Sequence, residues 1–231
     1  MADFTFAHRE EGFDEHIEKS IRGYSHLLED VVALSRYFVE DDTNVYDLGC
    51  STGKTTQRLI AANYDHCTDA TWYGIEIADG FQNDLKKREK QILKFDEDCW
   101  VHFQHEDIVD TEITNASFVT SIFTLQFMPK RHRQQVIYNI YDGLNEGGAF
   151  VFAEKTICEN AKFQDMLTFN YYDYKRNSFD TEDIMDKERT LRHMMKPNTW
   201  NEITDMIYSA GFDDVQPFWR NHMFVGAIAV K

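Results

Sequence analysis

From residue 43 onward, short apolar runs alternate with longer stretches in which charged residues interrupt the apolar ones. "NVYDLG" (44–49) reads as a strand and residues 53–62 as a helix. "TWYGIEI" (71–77) reads as a strand, followed by a charged helix from about 80 to 94. "WVHFQHED" (100–107) and "SFVTSIFTL" (117–125) read as strands, and a helix follows the second from about 130 to 144. "GGAFVFAEK" (147–155) is a strand opened by a Gly-Gly turn, and "DDVQPFWR" (213–220) and "HMFVGAIAV" (222–230) are two adjacent strands. Runs this short and this rich in β-branched and aromatic residues favour strands over helices. Strands alternating with helices imply a parallel sheet covered on both faces, and two strands in succession imply an antiparallel finish. Two further helical regions lie outside this series, about 13–39 and about 158–196. Both are expected over the carboxyl ends of the strands, where open α/β sheets bind ligands. A chain of 231 residues suits one domain carrying the first region as a cap and the second as an insertion.

The turn after the first strand, "VYDLGCSTGKTT" (45–56), superficially resembles a phosphate-binding loop. A phosphate loop needs four residues between its glycines to make a ring of N–H groups wide enough for the anion. Gly49 and Gly53 have three between them. Asp47, two residues before Gly49, adds a carboxylate that would face the loop and repel phosphate. The order D-x-G-x-x-x-G is instead similar to the first motif of class I S-adenosylmethionine (SAM) enzymes. SAM carries an amino group, a sulfonium and ribose hydroxyls, and no phosphate. On this reading Lys54 simply begins a solvated helix, and the fold is the seven-stranded, Rossmann-like α/β sheet of class I SAM-dependent methyltransferases, with its last strand antiparallel.

Composition narrows the partners. Net charge is −16, whereas proteins that grip nucleic acid show a basic stripe because phosphate contacts supply most of the affinity. "KKREK" (86–90) and "KRHR" (130–133) are short basic clusters expected on solvated helix faces. Direct nucleic-acid binding is therefore not expected. No apolar run approaches the ~20 residues of a membrane helix, and "MADFTFAHREEGFDEH" lacks the pattern of a secretion signal. Cys50, Cys67, Cys99 and Cys158 form no C-x-x-C pair and fit free thiols in a reducing cytoplasm. Cys50 reads as a small residue packed in a tight turn rather than as a nucleophile.

Two acids sit where a nucleoside would be held. Glu76 ends the second strand, 23 positions after Gly53, a spacing suited to accepting hydrogen bonds from two ribose hydroxyls. Asp107 follows in "HED", where an acid would meet an adenine amino group with Ile108 offering its backbone. The nine histidines show no ligand spacing; His102 and His105, three apart on an expected strand, would point to opposite faces. No metal is expected.

Five stretches carry a more specific likeness: "GFDEHIEKSIRGYS", "VYDLGCSTG", "NASFVTSIFTLQF", "GLNEGGAFVFAEK" and "DYKR". Together, from about residue 12 to the end, they resemble the carboxy-S-adenosyl-L-methionine (carboxy-SAM) synthase family, long described as tRNA wobble-uridine methyltransferases. The resemblance implies carboxy-SAM made from SAM and prephenate with release of phenylpyruvate, for later use by a separate enzyme on tRNA. It implies SAM or carboxy-SAM as the ligand and a homodimer. Tyr24 would contact the ligand, Gly49, Cys50 and Ser51 would lie along its amino-acid part, and Glu76, Asp107 and Ile108 would hold the nucleoside. Asp47, Gly53, Ile77 and Ile122 complete the expected ligand-binding set. The chain also departs from the family. Ile122 stands in place of an asparagine, Glu76-Ile77 in place of Asp-Asn, and Tyr171 and Tyr172 in place of two histidines. The family arginine that pairs with the transferred carboxylate falls in "DKERTLR", on Arg189 if aligned from the left and on Glu188 if aligned from the right. Arg189, with Tyr24, is the preferred catalytic assignment. Residues 180–195 read as a helix, so Arg189 and Arg192 share a face: either one arginine, Arg189 by preference, turns inward to a carboxylate, or Asp186 pairs with Arg189 and Glu188 with Arg192 on a solvated face. The expected chemistry is proton removal from the sulfonium methyl and capture of carbon dioxide, with the protein positioning the reactants and excluding water. A small-molecule methyltransferase is the rival enzyme, and a SAM- or SAH-binding protein without catalysis is a third reading.

Overall fold

A computed structural model describes residues 12–231. The expectation about a secretion signal rests largely on residues 1–11, which lie outside the described residues. The sheet is built from β1 (Asn44–Leu48), β2 (Thr71–Ile75), β3 (Trp100–Gln104), β4 (Ala116–Ile122), β5 (Leu144–Ile157), β7 (Val215–Asn221) and β8 (Phe224–Val230), in the order β3-β2-β1-β4-β5-β8-β7. The two-residue β6 (Asn198–Thr199) pairs beside the end of β5. β1 to β5 run parallel, and β8 runs antiparallel between β5 and β7. This is the α/β layout that the alternation predicts.

The period-2 alternation of strands explains how one sheet carries two cores. In β5, Ala149, Val151 and Ala153 face one layer, while Phe150 and Phe152 face the other. The first layer receives Leu27, Leu28 and Val31 of α2 (Tyr24–Ser35), Leu59 and Ile60 of α3 (Lys54–Asn63) and Ile92 of α4 (Gln82–Phe95). The second receives Val136, Ile137 and Ile140 of α5 (Lys130–Gly143) and Ile203 and Ile207 of α8 (Trp200–Ala210). The helical residues sit at i, i+3/i+4 spacing, so each helix presents one apolar face.

The two extra helical regions also form. The first is split into α1 (Phe13–Ser20) and α2, because Gly23 takes a left-handed φ of 77° before Tyr24. The second contains α6 (Ala161–Lys175) and α7 (Thr181–Met194). Some boundaries move. β3 stops at Gln104, so Asp107 lies in the following loop, and the "TLQF" end of the fourth strand becomes a 3-10 turn at Leu125–Phe127. The basic clusters are not wholly solvated. Arg88 Nε donates to the Thr52 carbonyl at 3.1 Å, and Arg133, 2% exposed, donates to the carbonyls of Gln126 and Met128 and to Asn198. Each guanidinium donates to backbone carbonyls at chain turns, and these acceptors draw it inward. No helix among the described residues is long and apolar enough to cross a membrane.

Candidate functional site

At the carboxyl ends of β1, β2 and β4 the chain encloses a cavity of about 500 Å³, within the range typical of small-molecule sites. α1, α2 and α7 cover it, so the helical regions do act as a lid.

The glycine loop forms its floor. Gly49 has a φ of 76°, and a Cβ on it would come within 2.3 Å of Thr124, so only glycine lets the loop pass this close to the turn after β4. Asp47 is fully enclosed and accepts hydrogen bonds from the Thr56 hydroxyl at 2.7 Å and the Thr120 hydroxyl at 2.9 Å. It thereby ties α3 and β4 to β1 beneath the loop. The loop-facing carboxylate expected at this position is thus engaged from below; burial raises its affinity for a proton, and the two hydroxyls oppose that shift. Lys54 opens α3 and pairs with Glu18 at 2.7 Å.

Glu76 stands just past the end of β2, 7% exposed. Its Oε2 accepts the Ser51 N–H at 2.9 Å and its Oε1 the Ala78 N–H at 2.8 Å. A carboxylate offers about four lone-pair positions, so both oxygens still have capacity for hydroxyl donors. Burial raises the Glu76 pKa and the two backbone donors oppose the rise. Asp107 holds its own loop through the Val109 N–H at 3.0 Å, and Asp107 and Ile108 both line the cavity. Tyr24, at the start of α2, is buried 6.2 Å from the Phe123 ring centroid. Burial first, then the carboxylates of Asp14 and Asp47, push its phenol up, so it remains a protonated donor. Cys50 is buried among Phe81 and Leu85, and burial holds its thiol protonated, as a packed turn residue. Ile77 is exposed and Ile122 half-buried, yet both line the cavity. Gly53 caps α3 outside the lining.

Arg189 takes the second of the two placements expected for it. It lies on the solvent face of α7, 76% exposed, paired with Asp186 at 3.0 Å. The helix turns Glu188 inward instead, on the face of the buried Ile184, where its Oε2 lies 4.0 Å from the Lys155 ammonium near the end of β5.

Facing the cavity are lysines that the pattern of the sequence did not mark. Lys155 and Lys175 both line it, lying 5.6 and 5.4 Å from the Tyr171 ring centroid. Burial lowers both lysine pKa values and Glu188 opposes the drop. The signal lay in "FAEK" and "DYKR", where a lysine closes an apolar strand or helix directed at the sheet's carboxyl end. Glu76 stands past the end of β2 and Lys155 near the end of β5, separated in the strand order by β1 and β4, and Phe81, Phe123, Met128, Leu191 and Met195 add apolar surface to the lining. Among the described residues, no group of three or more His, Cys, Asp or Glu gathers as a metal site.

A family model described as a methyltransferase domain matches residues 45–148. A carboxy-SAM synthase from Staphylococcus epidermidis is 35% identical over 95% of this chain and 92% of its own length. One from Shewanella baltica is 32% identical over 100% of this chain and 94% of its own. The chain belongs to the carboxy-SAM synthase family. It is an enzyme of the class I SAM-dependent methyltransferase superfamily. Among solved structures, the fold is similar to an O-methyltransferase family protein from Burkholderia thailandensis, with a TM-score of 0.66 at 14% identity, covering 98% of this chain and 61% of that one. It is also similar to the SAM-bound magnesium protoporphyrin IX methyltransferase from Synechocystis, with a TM-score of 0.61 at 13% identity, covering 98% and 88%.

Proposed function

We propose that this chain makes carboxy-SAM from SAM and a carboxylic acid of the prephenate class, with release of phenylpyruvate. The observation that carries this reading is the polarity of the cavity. Its carboxylates suit hydroxyls and amines, and its ammonium groups suit a carboxylic acid. SAM, when bound, supplies a methyl group acidified by the neighbouring sulfonium charge. The atoms balance if the methyl gains carbon dioxide from the acid while its proton and the acid's hydroxide leave as water.

The residues divide the work by position. Glu76 accepts ribose hydroxyls while its backbone donors, Ser51 and Ala78, hold it in place. Asp107 and Ile108 hold the base. Tyr24 donates from its protonated phenol. Lys155 and Lys175 orient the acid, and the phenylalanines and methionines between exclude water, which strengthens every charge contact inside. The product passes to a separate tRNA-modifying enzyme, so this chain needs no nucleic-acid surface. The resemblance also carries a cytoplasmic setting and a homodimer into the proposal.

One observation favours a second reading, methyl transfer to a small molecule. Glu188, one of the two positions on which the family arginine falls, turns inward and removes positive charge from the acid's end. Incubation with SAM and prephenate separates the two. Carboxylated SAM and phenylpyruvate forming in equal amounts support the synthase reading; accumulation of SAH without phenylpyruvate supports methyl transfer.

A further inference from the structure

Three buried ionisable groups meet on one wall of the cavity, from three different elements. Lys155 comes from the end of β5, Lys175 from the last residue of α6 and Glu188 from the middle of α7. The Lys155 Nζ lies 4.0 Å from Glu188 Oε2, with side chains 13% and 11% exposed. Lys175 is 3% exposed and lies between the Tyr171 and Phe179 rings, 5.4 and 5.8 Å from their centroids. Glu188 Oε1 is buried and has no hydrogen-bond partner among the described residues.

Two ammonium groups and one carboxylate leave a net positive charge, and only the lysines line the cavity. Buried charges that served folding alone would be expected to neutralise each other and satisfy their lone pairs. This cluster does neither. A 4.0 Å contact is long for a charge-assisted hydrogen bond, so Lys155 is not fully committed to Glu188. We infer that Lys155 and Lys175 form the subsite for a carboxylate of the second substrate, and that Glu188 is the built-in counter-charge that weakens it. Both ammonium groups reach the cavity, so a substrate carboxylate bound between them competes with Glu188 for Lys155. The inference rests on the synthase reading for the identity of the acid, and on the cluster alone for its charge.

The test uses the full chain saturated with SAH and titrated with phenylpyruvate by calorimetry. Lys175→Met should weaken phenylpyruvate binding about tenfold or more, the scale of one hydrogen bond to a charged group. Glu188→Gln should tighten it several-fold. Lys155→Met alone would strand Glu188 in the interior, so the double variant Lys155→Met/Glu188→Gln is used; it should bind about tenfold more weakly than Glu188→Gln. SAH affinity should hold throughout. A purely structural cluster gives losses of one sign, so a Glu188→Gln variant that weakens binding as the lysine variants do would overturn the inference. So would phenylpyruvate affinity that ignores all three changes, or no phenylpyruvate binding by the unaltered chain. Charge-following binding without carboxylated product sinks the synthase reading and leaves the subsite standing. Carboxylated product with an unchanged KM for the acid in all three variants does the reverse.

Discussion

Replacing Glu76 with alanine should weaken SAM binding by about one to two orders of magnitude. Hydrogen bonds to a charged acceptor are worth ~1.5–3 kcal/mol, and every 1.4 kcal/mol is about tenfold. Glu76 is buried at the end of β2 with its oxygens already fixed by the Ser51 and Ala78 N–H groups, so a ligand hydroxyl meets an acceptor whose orientation is settled beforehand. The same change leaves those two N–H groups unpaired, at ~1–3 kcal/mol each if water does not reach them. Stability and affinity must therefore be separated. Thermal melting fixes a temperature at which the variant is folded, and calorimetry with SAM follows there. Repeating the titration with a 2′-deoxy analogue of SAH completes a cycle. If Glu76 holds the ribose, the loss caused by the substitution shrinks for the analogue. An unchanged SAM affinity, or equal losses for both ligands, would remove Glu76 from the ribose site.

Arg189→Ala should change SAM affinity and turnover by less than twofold and stability by less than about 0.5 kcal/mol, because an exposed i,i+3 pair contributes little; a selective loss of carboxy-SAM binding would restore the discarded assignment. Burial pushes the Glu154 carboxyl up to about 8, against the opposing pull of Arg133 and the backbone donors. The folded state therefore holds this proton more tightly than the unfolded chain, so the group's contribution to stability declines as pH rises from about 4.5 towards 8. Glu154→Gln should flatten that decline in a melting series across the window, and an identical slope in the variant would refute it. Lys54→Ala should leave SAM affinity within about twofold, since its partner is Glu18 at the surface, and any ATP hydrolysis lost with that lysine would reverse the rejection of a phosphate loop.

The parts of the site that depend on local backbone chemistry were legible. Gly49 and Asp47 declare a tight turn after a strand, and Glu76 follows at a spacing set by one helix and one strand. The elements α3, α4 and α5 were visible in their 3.6-residue pattern. What was not legible depends on rotation and long-range packing. Whether Glu188 or Arg189 faces inward turns on about 100° of helix rotation; the buried Ile184 marks the inward face, and Lys155, more than 30 residues away on β5, meets Glu188 there. Lys155 and Lys175 looked like ordinary charged ends, because nothing local shows that a strand end and a helix end converge on one wall. The solvated face expected of "KRHR" failed at Arg133 because the acceptors that draw it inward include Asn198, from a distant segment. α8 was missed although its start carries a capping box, Thr199 with Glu202 three residues on, ahead of an apolar face. That signal is local and lies just ahead of the two closing strands.

The most direct test of the central claim is the mass of the small molecule carried by the protein freshly purified from cells that make prephenate. The synthase account predicts a species heavier than SAM by one carbon dioxide, and its disappearance when prephenate synthesis is blocked. Plain SAM or SAH as the sole ligand, whether or not prephenate is present, would contradict the account and leave this family member a methyltransferase.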